Sequence, residues 1–356
     1  MPQIRVGVLG ATGAVGQTFL RLLDGHPLFE VTALAASERS AGKRYDEAAN
    51  WTADTPMPAA FAGMTVQHVD DPLDVDVAFS GLDASVAGDV EARLAREGVA
   101  VVSNARNHRM APDVPLLIPE VNPEHLALVG RQTFGGGGCI VTNPNCSTVG
   151  LAVALKPLHD AFGVEAVHVV TMQALSGAGY PGVPSLDAMA NVVPFIGGEE
   201  DKMTVETRKI LGTLTDAGVA DAEVVVSAQC NRVPVIDGHT EAVSVRFRTP
   251  ATAADAVEAM RAWRSPLAGR GLPSAPEHPL VVLDDPRYPQ PRRHAMLGGG
   301  MTVSVGRVQD CPVLGVKFVV LSHNTIRGAA GGAILNAELM HAEGLLARDR
   351  AAAATA

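Results

Sequence analysis

Residues 4–23, IRVGVLGATGAVGQTFLRLL, decide the fold of the first part of the chain. The apolar run from Ile4 to Leu9 predicts a buried strand, and the spacing of apolar residues from Gln17 to Leu23 predicts a helix. The turn between them contains Gly10, Ala11, Thr12, Gly13, Ala14, Val15 and Gly16. Its glycines permit close approach of the backbone to a pyrophosphate, while the helix start supplies free N–H groups. We therefore favour a dinucleotide-binding turn over a simple strand-helix connection.

Strands and helices keep alternating beyond this turn. Further strands are predicted at Val31 to Ala35, Val75 to Ser80, Val99 to Ser103, and Ile140 and Val141, with a helix from Ala84 to Arg96. This alternation is typical of a parallel sheet with helices on both faces. We predict an α/β fold that begins with a Rossmann-type dinucleotide-binding domain over residues 1–145.

The pattern changes after the helix predicted from Ser147 to Phe162. Strands are then predicted at Ala166 to Ala174, Glu223 to Val235, Thr240 to Arg248, Leu280 to Leu283, Met301 to Arg307 and Val316 to Ser322. Few helices separate these strands, although one is predicted from Thr252 to Trp263. Residues 146–325 are therefore predicted to form an α+β catalytic and oligomerisation domain with a largely antiparallel sheet. Asn324 and Thr325 are predicted to cap a last helix from Ile326 to Ala347. Residues 326–356 should pack back on the first domain, with a frayed tail from Ala351 to Ala356.

Composition excludes several classes of protein. The 356-residue chain has a formal net charge of -10 and no basic cluster, which argues against nucleic acid or an anionic membrane as its main partner. It contains neither a stretch long enough to span a bilayer nor a signal-peptide pattern, so we expect a cytoplasmic protein. Its 11 histidines and 4 cysteines show no metal-ligand spacing, and we predict no metal.

The residues after the second strand concern the choice between NAD and NADP. NAD-selective sites usually place an acidic residue there to bond the ribose 2′-hydroxyl. Here the stretch contains Ser37, Glu38, Arg39, Ser40 and Lys43. The hydroxyls and cations are suited to a 2′-phosphate, and the shape of arginine matches phosphate well. Glu38 fits this interpretation only if it points to solvent; we predict NADP.

Cys146 is the candidate nucleophile, because it follows Asn143-Pro144-Asn145 at a predicted helix start. A free thiol has a pKa of about 8.5, and a helix N-terminus favours the thiolate. The N–H groups there, with the amide of Asn145, are placed to hold a developing oxyanion. Burial as a small apolar residue is the usual alternative for cysteine, and it suits Cys139, Cys230 and Cys311 better. Cys139, after a glycine-rich segment, remains the rival nucleophile.

A nucleophilic cysteine needs a base, and His239 is the best candidate. It follows a turn between two predicted strands, in RVPVIDGHTE from Arg232. Arg232 itself is suited to clamp a substrate carboxylate through two hydrogen bonds. Each residue alone is more often structural, but their place on one strand-turn-strand unit favours a functional role.

Further motifs follow in order along nearly the whole chain. They are GVLGATGAVGQ at the start, ALAASERSAGK after the second strand, PLLIPEVN from Pro115, TNPNCST around Cys146, MQALSGAGYPGVPS from Met172, IGGEEDKM from Ile196, RVPVIDGHTE from Arg232 and HNTIRGAAGG from His323. In these motifs the chain resembles the aspartate-semialdehyde dehydrogenases, specifically their archaeal and fungal-like branch.

The resemblance implies a reversible reaction that converts L-aspartate 4-semialdehyde, phosphate and NADP into 4-phospho-L-aspartate and NADPH. The reductive direction feeds lysine, threonine and methionine synthesis. Cys146 would carry a thioacyl intermediate, His239 would be the acid and base, and Gln173 would orient the substrate or this intermediate.

The resemblance also implies the binding residues. Arg232 would bind the α-carboxylate and Glu199 the α-amino group, while Lys202 and Arg109 would hold the phosphate, with Asn145 beside the substrate. The nicotinamide half of NADP would contact Ser176, Gly177 and Asn324. Asn107 and His108, just before Arg109, depart from the small or aromatic residues expected there.

Two other functions fit parts of the pattern. A malonyl-CoA reductase would use the same cysteine chemistry on a coenzyme A thioester but would need no partner for an amino group. A non-catalytic NADP-sensing protein on an enzyme fold should have lost its nucleophile or base, and both are present. From the resemblance alone we also expect a homodimer or homotetramer.

Overall fold

The computed structural model describes residues 3–346. Its first sheet has six strands: β1 (Ile4–Leu9), β2 (Phe29–Ala36), β3 (Val66–His68), β4 (Val77–Ser80), β5 (Ala100–Ser103) and β6 (Cys139–Thr142). Neighbouring strands are all parallel, in the order β3-β2-β1-β4-β5-β6. This confirms the Rossmann-type sheet. The sequence pattern missed β3, a short edge strand in which only Val66 is buried.

The first sheet is covered on both faces, which explains its apolar strands. Every residue of β4 and β5 is buried, as expected for central parallel strands. The helices of this part are α1 (Ala14–Leu23), α2 (Tyr45–Ala48), α3 (Ala59–Ala62) and α4 (Ala84–Arg96). Helix α1 begins earlier than predicted, inside the glycine-rich turn, so this turn directly precedes its free N–H groups.

The second sheet also has six strands, and a short hairpin lies apart from it. The hairpin consists of β8 (Thr213–Thr215) and β9 (Gly218–Ala220). The strands of the sheet are β7 (Val164–Gln173), β10 (Val225–Arg232), β11 (His239–Phe247), β12 (Leu280–Leu283), β13 (Val303–Cys311) and β14 (Gly315–Ser322). The sheet order is β10-β7-β11-β14-β13-β12, with its three central pairings antiparallel and its two outer pairings parallel. The prediction of a largely antiparallel sheet is therefore confirmed.

The second part has three long helices, which pack on this sheet, and two short ones. They are α5 (Cys146–Phe162), α6 (Ser185–Ala188), α7 (Glu199–Ile210), α8 (Ala253–Ala262) and α9 (Pro291–His294), and a last helix, α10 (Gly331–Ala342), follows them. Helix α5 is buried along most of its length because it lies against the second sheet on one side and residues 326–330 on the other. The residues from Glu199 to Lys202 are also typical of a charged helix start, but the sequence pattern did not predict α7 as a whole, which supplies much of the site described below.

The last helical segment begins at Ile326 as predicted, but the predicted cap and the predicted end of the helix are wrong. Asn324 and Thr325 do not cap it, and residues Ile326–Ala330 form a π-helical turn before α10 begins. The Asn324 side chain bonds elsewhere, to Gly238 and Ser176. Helix α10 contacts β4 and β5 of the first sheet and ends at Ala342. Ala347 and the tail from Ala351 lie outside the described residues, and no helix within residues 3–346 is long and apolar enough to cross a membrane.

Candidate active site

Cys146 begins α5 and His239 begins β11, and their reactive atoms face each other. The Sγ of Cys146 lies 3.2 Å from Nε2 of His239. His239 pairs in register with Ser322 of β14. Gly150, one turn into α5, faces the same serine, and a Cβ at this glycine would lie 2.6 Å from the Ser322 hydroxyl oxygen. The absence of a side chain at Gly150 therefore lets the start of α5 approach the start of β11.

The ring of His239 is fully buried and is held from its far side. The backbone N–H of Ala174 donates to Nδ1 of His239 over 3.0 Å. Because Nδ1 accepts a hydrogen bond, the neutral ring carries its proton on Nε2, the atom that faces Cys146. Nε2 is therefore the ring nitrogen that exchanges protons with the thiol and with anything bound to it.

Burial determines the protonation states of this pair. Cys146 keeps some accessible surface, but protein atoms surround its sulfur closely. Desolvation, with a smaller contribution from Glu199, raises the pKa of the Cys146 thiol to about 12, although Arg109, Arg232 and Lys202 act in the opposite direction. Burial lowers the pKa of His239 to about 3, with Arg232 and His323 acting in the same direction. A neutral thiol beside a neutral imidazole is thus favoured over the thiolate that a helix start alone predicts.

Asn145 organises the first turn of α5. Its Oδ1 accepts from the backbone N–H groups of Ser147 (3.0 Å) and Thr148 (3.4 Å). Its Nδ2 donates to Glu199 over 2.6 Å, and its backbone N–H donates to Glu206 over 2.6 Å. The backbone N–H of Cys146 has no hydrogen-bond acceptor among residues 3–346. It is therefore the donor of this turn that is available to an oxyanion.

Glu199 lies at the centre of a polar cluster beside Cys146. Its Oε1 accepts from Nζ of Lys202 over 2.8 Å, and its Oε2 accepts from Nε2 of Gln173 over 3.4 Å as well as from Asn145. Glu199 and Lys202 lie one turn apart on α7, and Gln173 ends β7. The structure thus brings together three of the residues that the family motifs indicate.

Arg232 and Gly177 lie against the imidazole. Arg232 is 7% exposed, and its Nη1 donates to the carbonyl of Ala174 over 2.7 Å. Gly177 is close to both side chains: a Cβ on it would lie 2.8 Å from Nη1 of Arg232 and 3.0 Å from Cε1 of His239. A side chain at position 177 would therefore press on the Arg232 guanidinium and the His239 ring, although the backbone conformation there suits other residues.

Arg109 reaches the site from the segment that follows the first-sheet strand β5. Its Nη1 lies 2.8 Å from Oε1 of Glu206, and its Nη2 donates to the carbonyl of Asn104 over 2.7 Å. The preceding Asn107 and His108 bond to backbone carbonyls of α4 instead. These two unexpected residues therefore direct their polar atoms away from the Arg109 guanidinium.

The glycine-rich turn fits a pyrophosphate. Gly10 has φ of 71°, and a Cβ there would lie 2.8 Å from the carbonyl oxygen of Gly81. Gly16 lies against the turn itself, because its Cβ would be 2.3 Å from the Gly10 carbonyl oxygen. Gly13 precedes α1 and offers no capping side chain, so the first N–H groups of the helix face outward. Thr12, Ala14 and Val15 are each partly exposed along this turn.

The end of β2 fits a 2′-phosphate. Ser37, Glu38 and Arg39 are exposed, whereas Ser40 is buried and Lys43 donates to the carbonyl of Arg39 over 2.7 Å. Arg39 forms no salt bridge with any other residue in the described range 3–346, so its guanidinium is available to an anion. Glu38 lies on the surface, as the NADP interpretation requires.

Asn324 connects two parts of the site. Its Oδ1 accepts from the backbone N–H of Gly238 over 2.9 Å, and its Nδ2 donates to Oγ of Ser176 over 2.8 Å. Gly238 precedes the histidine, and Ser176 precedes Gly177. The side chain thus ties the loop after β7 to the turn that carries His239.

The rival thiol, Cys139, is 1% exposed in the core of the first sheet. Within residues 3–346, no group of three or more His, Cys, Asp or Glu side chains is arranged to hold a metal ion.

Sequence reasoning missed three contributors to the site: Glu206, the backbone of Ala174, and Gly328. Gly328 lies in the π-helical turn, where a Cβ would be 2.7 Å from Cβ of Cys146. Glu206 lies on α7, and the buried face of this helix carries charged residues, so no apolar pattern marks it in the sequence. The sequence does contain one indication of this helix. Acidic residues lie in its first turn and the basic residues Arg208 and Lys209 in its last turn, a distribution that favours a helix.

Comparison with known families agrees with both parts of the fold. Residues 5–129 match the semialdehyde dehydrogenase NAD-binding domain, and residues 155–327 match the semialdehyde dehydrogenase dimerisation domain. An aspartate-semialdehyde dehydrogenase of Methanothermobacter thermautotrophicus is 52% identical and spans 95% of this chain and 99% of its own. That of Candida albicans is 47% identical over 96% of this chain and 99% of its own.

Two solved structures are similar over the whole length. The crystal structure of aspartate-semialdehyde dehydrogenase with NADP from Candida albicans covers 97% of this chain and 100% of that one, with a TM-score of 0.89 and 44% identity. Aspartate-semialdehyde dehydrogenase II complexed with ASA from Vibrio cholerae covers 96% and 99%, with a TM-score of 0.77 and 30% identity.

Proposed function

Because the chain belongs to the aspartate-semialdehyde dehydrogenase family, we propose that it catalyses the reversible, NADP-dependent conversion of L-aspartate 4-semialdehyde and phosphate into 4-phospho-L-aspartate. The observation that carries this proposal is the 3.2 Å contact between the thiol of Cys146 and the imidazole of His239, at a helix start surrounded by charged side chains. Nucleophile and base lie within the reach that acyl transfer requires.

The charged residues match the parts of this substrate. Arg232 holds the α-carboxylate, because its guanidinium keeps donors beyond the single bond to Ala174. Glu199 holds the α-amino group and Gln173 orients the acyl chain beside it. Lys202 and Arg109 bind the phosphate, and Asn145 fixes Glu199 and the start of α5.

In the reductive direction, Cys146 attacks the acyl phosphate. The S–C bond forms as the C–O bond to phosphate breaks, and the backbone N–H of Cys146 stabilises the negative charge that develops on the carbonyl oxygen. Nε2 of His239 gives its proton to the departing phosphate while the proton of the thiol replaces it. This route keeps the buried ring neutral before and after the step.

The thioester is the species that is then reduced. NADPH, when bound, supplies a hydride to its carbonyl carbon. Nε2 of His239 returns a proton to the sulfur of Cys146 as the C–S bond breaks, and a proton from solvent restores the ring. The products are the aldehyde and the free thiol.

The cofactor is held by residues that follow β1 and β2, by the loop after β7 and by Asn324 after β14. Gly10, Thr12, Gly13, Ala14 and Val15 surround the pyrophosphate, and Ser37, Arg39 and Ser40 bind the 2′-phosphate. Ser176, Gly177 and Asn324 contact the nicotinamide half. Arg39 supports the choice of NADP because its guanidinium has no salt-bridge partner within residues 3–346.

The test is NADPH formation from L-aspartate 4-semialdehyde, with and without phosphate. We expect activity only with phosphate and NADP, and none in Cys146→Ser. Oxidation of NADPH with malonyl-CoA, but no reaction with aspartyl phosphate, would replace this proposal by a malonyl-CoA reductase. Full turnover in Cys146→Ser would refute the catalytic assignment altogether.

We further propose that the chain is a homodimer formed through residues 180–195. This segment exposes five large apolar side chains: Tyr180, Leu186, Met189, Val192 and Phe195. Such a patch is typical of a protein interface, and it lies in the part that matches the dimerisation domain. A light-scattering mass of one chain would contradict the proposal, and a mass of four chains would require a second interface.

The division of the chain and its location are also proposals. We place the cofactor domain at residues 1–145 and the catalytic domain at 146–325, with the last helix returning to the first domain; the contacts of α10 with β4 and β5 support this. A biosynthetic enzyme that depends on a free thiol at Cys146 suits the reducing cytoplasm.

A further inference from the structure

Glu206 joins two parts of the site although no motif pointed to it. Its side chain lies on α7 and is 2% exposed. Oε1 of Glu206 lies 2.8 Å from Nη1 of Arg109, and Oε2 accepts the backbone N–H of Asn145 over 2.6 Å. One carboxylate therefore contacts both a proposed phosphate-binding cation and the residue that precedes the nucleophile.

Glu206 belongs to a charged face of α7. Glu199, Lys202, Glu206 and Lys209 follow one another at intervals of three and four residues, which places them on one side of the helix. Nζ of Lys209 donates to three backbone carbonyls, those of Arg109 (2.7 Å), Ala111 (2.8 Å) and Val114 (2.9 Å). Helix α7 thus holds Arg109 by its backbone through Lys209 and by its side chain through Glu206.

The pairing with Glu206 is what keeps the Arg109 guanidinium in place. Arg109 is 7% exposed, and apart from Glu206 its side chain has one hydrogen-bond partner within residues 3–346, the carbonyl of Asn104. Its Nε has no hydrogen-bond partner among the described residues. A buried cation without its carboxylate is costly, so the guanidinium would leave this position if Glu206 were neutral. Its charge would then also move away from Cys146, whose pKa it lowers.

We propose that Glu206 is a positioning residue of the phosphate subsite, which sets the Arg109 guanidinium against the start of α5 so that phosphate binds beside Cys146. This rests on the proposed function, because it assigns the anion at Arg109 to phosphate. The two carboxylate oxygens have separate tasks. Oε1 fixes the cation and therefore phosphate affinity, while Oε2 fixes Asn145 and therefore the geometry of the nucleophile.

Two substitutions separate these tasks. Glu206→Gln keeps an oxygen that accepts the Asn145 N–H but removes the charge that holds Arg109. We expect its KM for phosphate to rise about tenfold, with kcat within about threefold of wild type and an unchanged KM for NADP. Glu206→Ala removes both contacts, and we expect the same rise in phosphate KM with kcat lowered about a hundredfold.

Asp201→Asn is the matched control. Asp201 lies on the same helix, is exposed, and has the same change of charge. We expect wild-type kinetics from it. A second readout does not need turnover: phosphate should protect Cys146 from alkylation in wild type and in Asp201→Asn, and about tenfold more phosphate should be needed in Glu206→Gln.

The kinetics of Glu206→Gln, compared with those of Asp201→Asn and Glu206→Ala, decide whether Glu206 positions Arg109. A phosphate KM and a protection curve for Glu206→Gln equal to those of Asp201→Asn would overturn the inference, as would a loss of kcat in Glu206→Gln as large as in Glu206→Ala. If Glu206→Ala does not fold, the comparison of Glu206→Gln with Asp201→Asn still decides. Failure of the proposed function is distinguishable, since wild type itself would then show no phosphate dependence.

Discussion

Replacing Gly177 by alanine tests whether close packing around the imidazole sets the activity. The added Cβ would lie 2.8 Å from Nη1 of Arg232 and 3.0 Å from Cε1 of His239, whereas ordinary contacts begin at about 3.4 Å. Either the guanidinium retreats by about 0.6 Å and the ring by about 0.4 Å, or the loop after β7 moves outward by as much. Both atoms belong to the proposed catalytic machinery.

The expected cost falls on catalysis more than on stability. The backbone of Gly177 is not in the left-handed region, so alanine fits its conformation. A misplacement of about 1 Å costs about a hundredfold in rate, so shifts of about 0.4–0.6 Å should cost about tenfold, which corresponds to about 1.4 kcal/mol of transition-state stabilisation. We expect kcat/KM for L-aspartate 4-semialdehyde to fall by about that factor. The melting temperature should change by only a few degrees.

Steady-state NADPH formation and a thermal melt, measured on the same preparation, check this prediction. Gly197→Ala is the matched control, because Gly197 lies two residues before Glu199 in the sequence but a Cβ there meets nothing within 4 Å. Activity of Gly177→Ala within about twofold of the control would show that the packing of Gly177 does not position Arg232 and His239. A collapse of stability would show that the substitution acts on the fold instead.

Three other predictions follow from the same structure. Because burial raises the pKa of Cys146 to about 12, its alkylation by iodoacetamide should keep accelerating up to about pH 10, whereas a plateau near the free-thiol pKa of about 8.5 would contradict this. Arg39→Ala should raise the KM for NADP about tenfold and leave that for NAD unchanged; equal changes would remove Arg39 from the 2′-phosphate site. Glu241 is 1% exposed, and neither of its carboxylate oxygens has a hydrogen-bond partner among residues 3–346. Burial raises its pKa well above 4.5, so the folded state binds more protons than the unfolded one and loses stability as pH rises above about 4.5. Glu241→Met should therefore raise the free energy of unfolding by about 1–3 kcal/mol at pH 7 and by less at pH 5, as denaturant titration can check.

The local pattern was sufficient for much of the fold. The apolar run of β1 and the glycine-rich turn predicted a dinucleotide-binding sheet because each depends on a few consecutive residues. The boundaries of β1 agree with the structure at both ends. Contacts between residues distant in sequence decide the parts of the fold that the local pattern did not predict. Helix α7 was not predicted because its buried face is charged, and these charges pair with distant residues such as Arg109.

The sequence by itself predicted the chemistry of this chain from a thiol at a helix start, a histidine after a turn, and cationic side chains in motifs of a known family. Tertiary structure decided how these groups behave. Because Gly150 has no side chain, the start of α5 can bring Cys146 close to His239. The hydrogen bond from the backbone N–H of Ala174 to Nδ1 fixes the proton of the His239 ring on Nε2. It also reversed the expected thiolate, because desolvation depends on everything packed around the sulfur and not on the residues beside it in the chain.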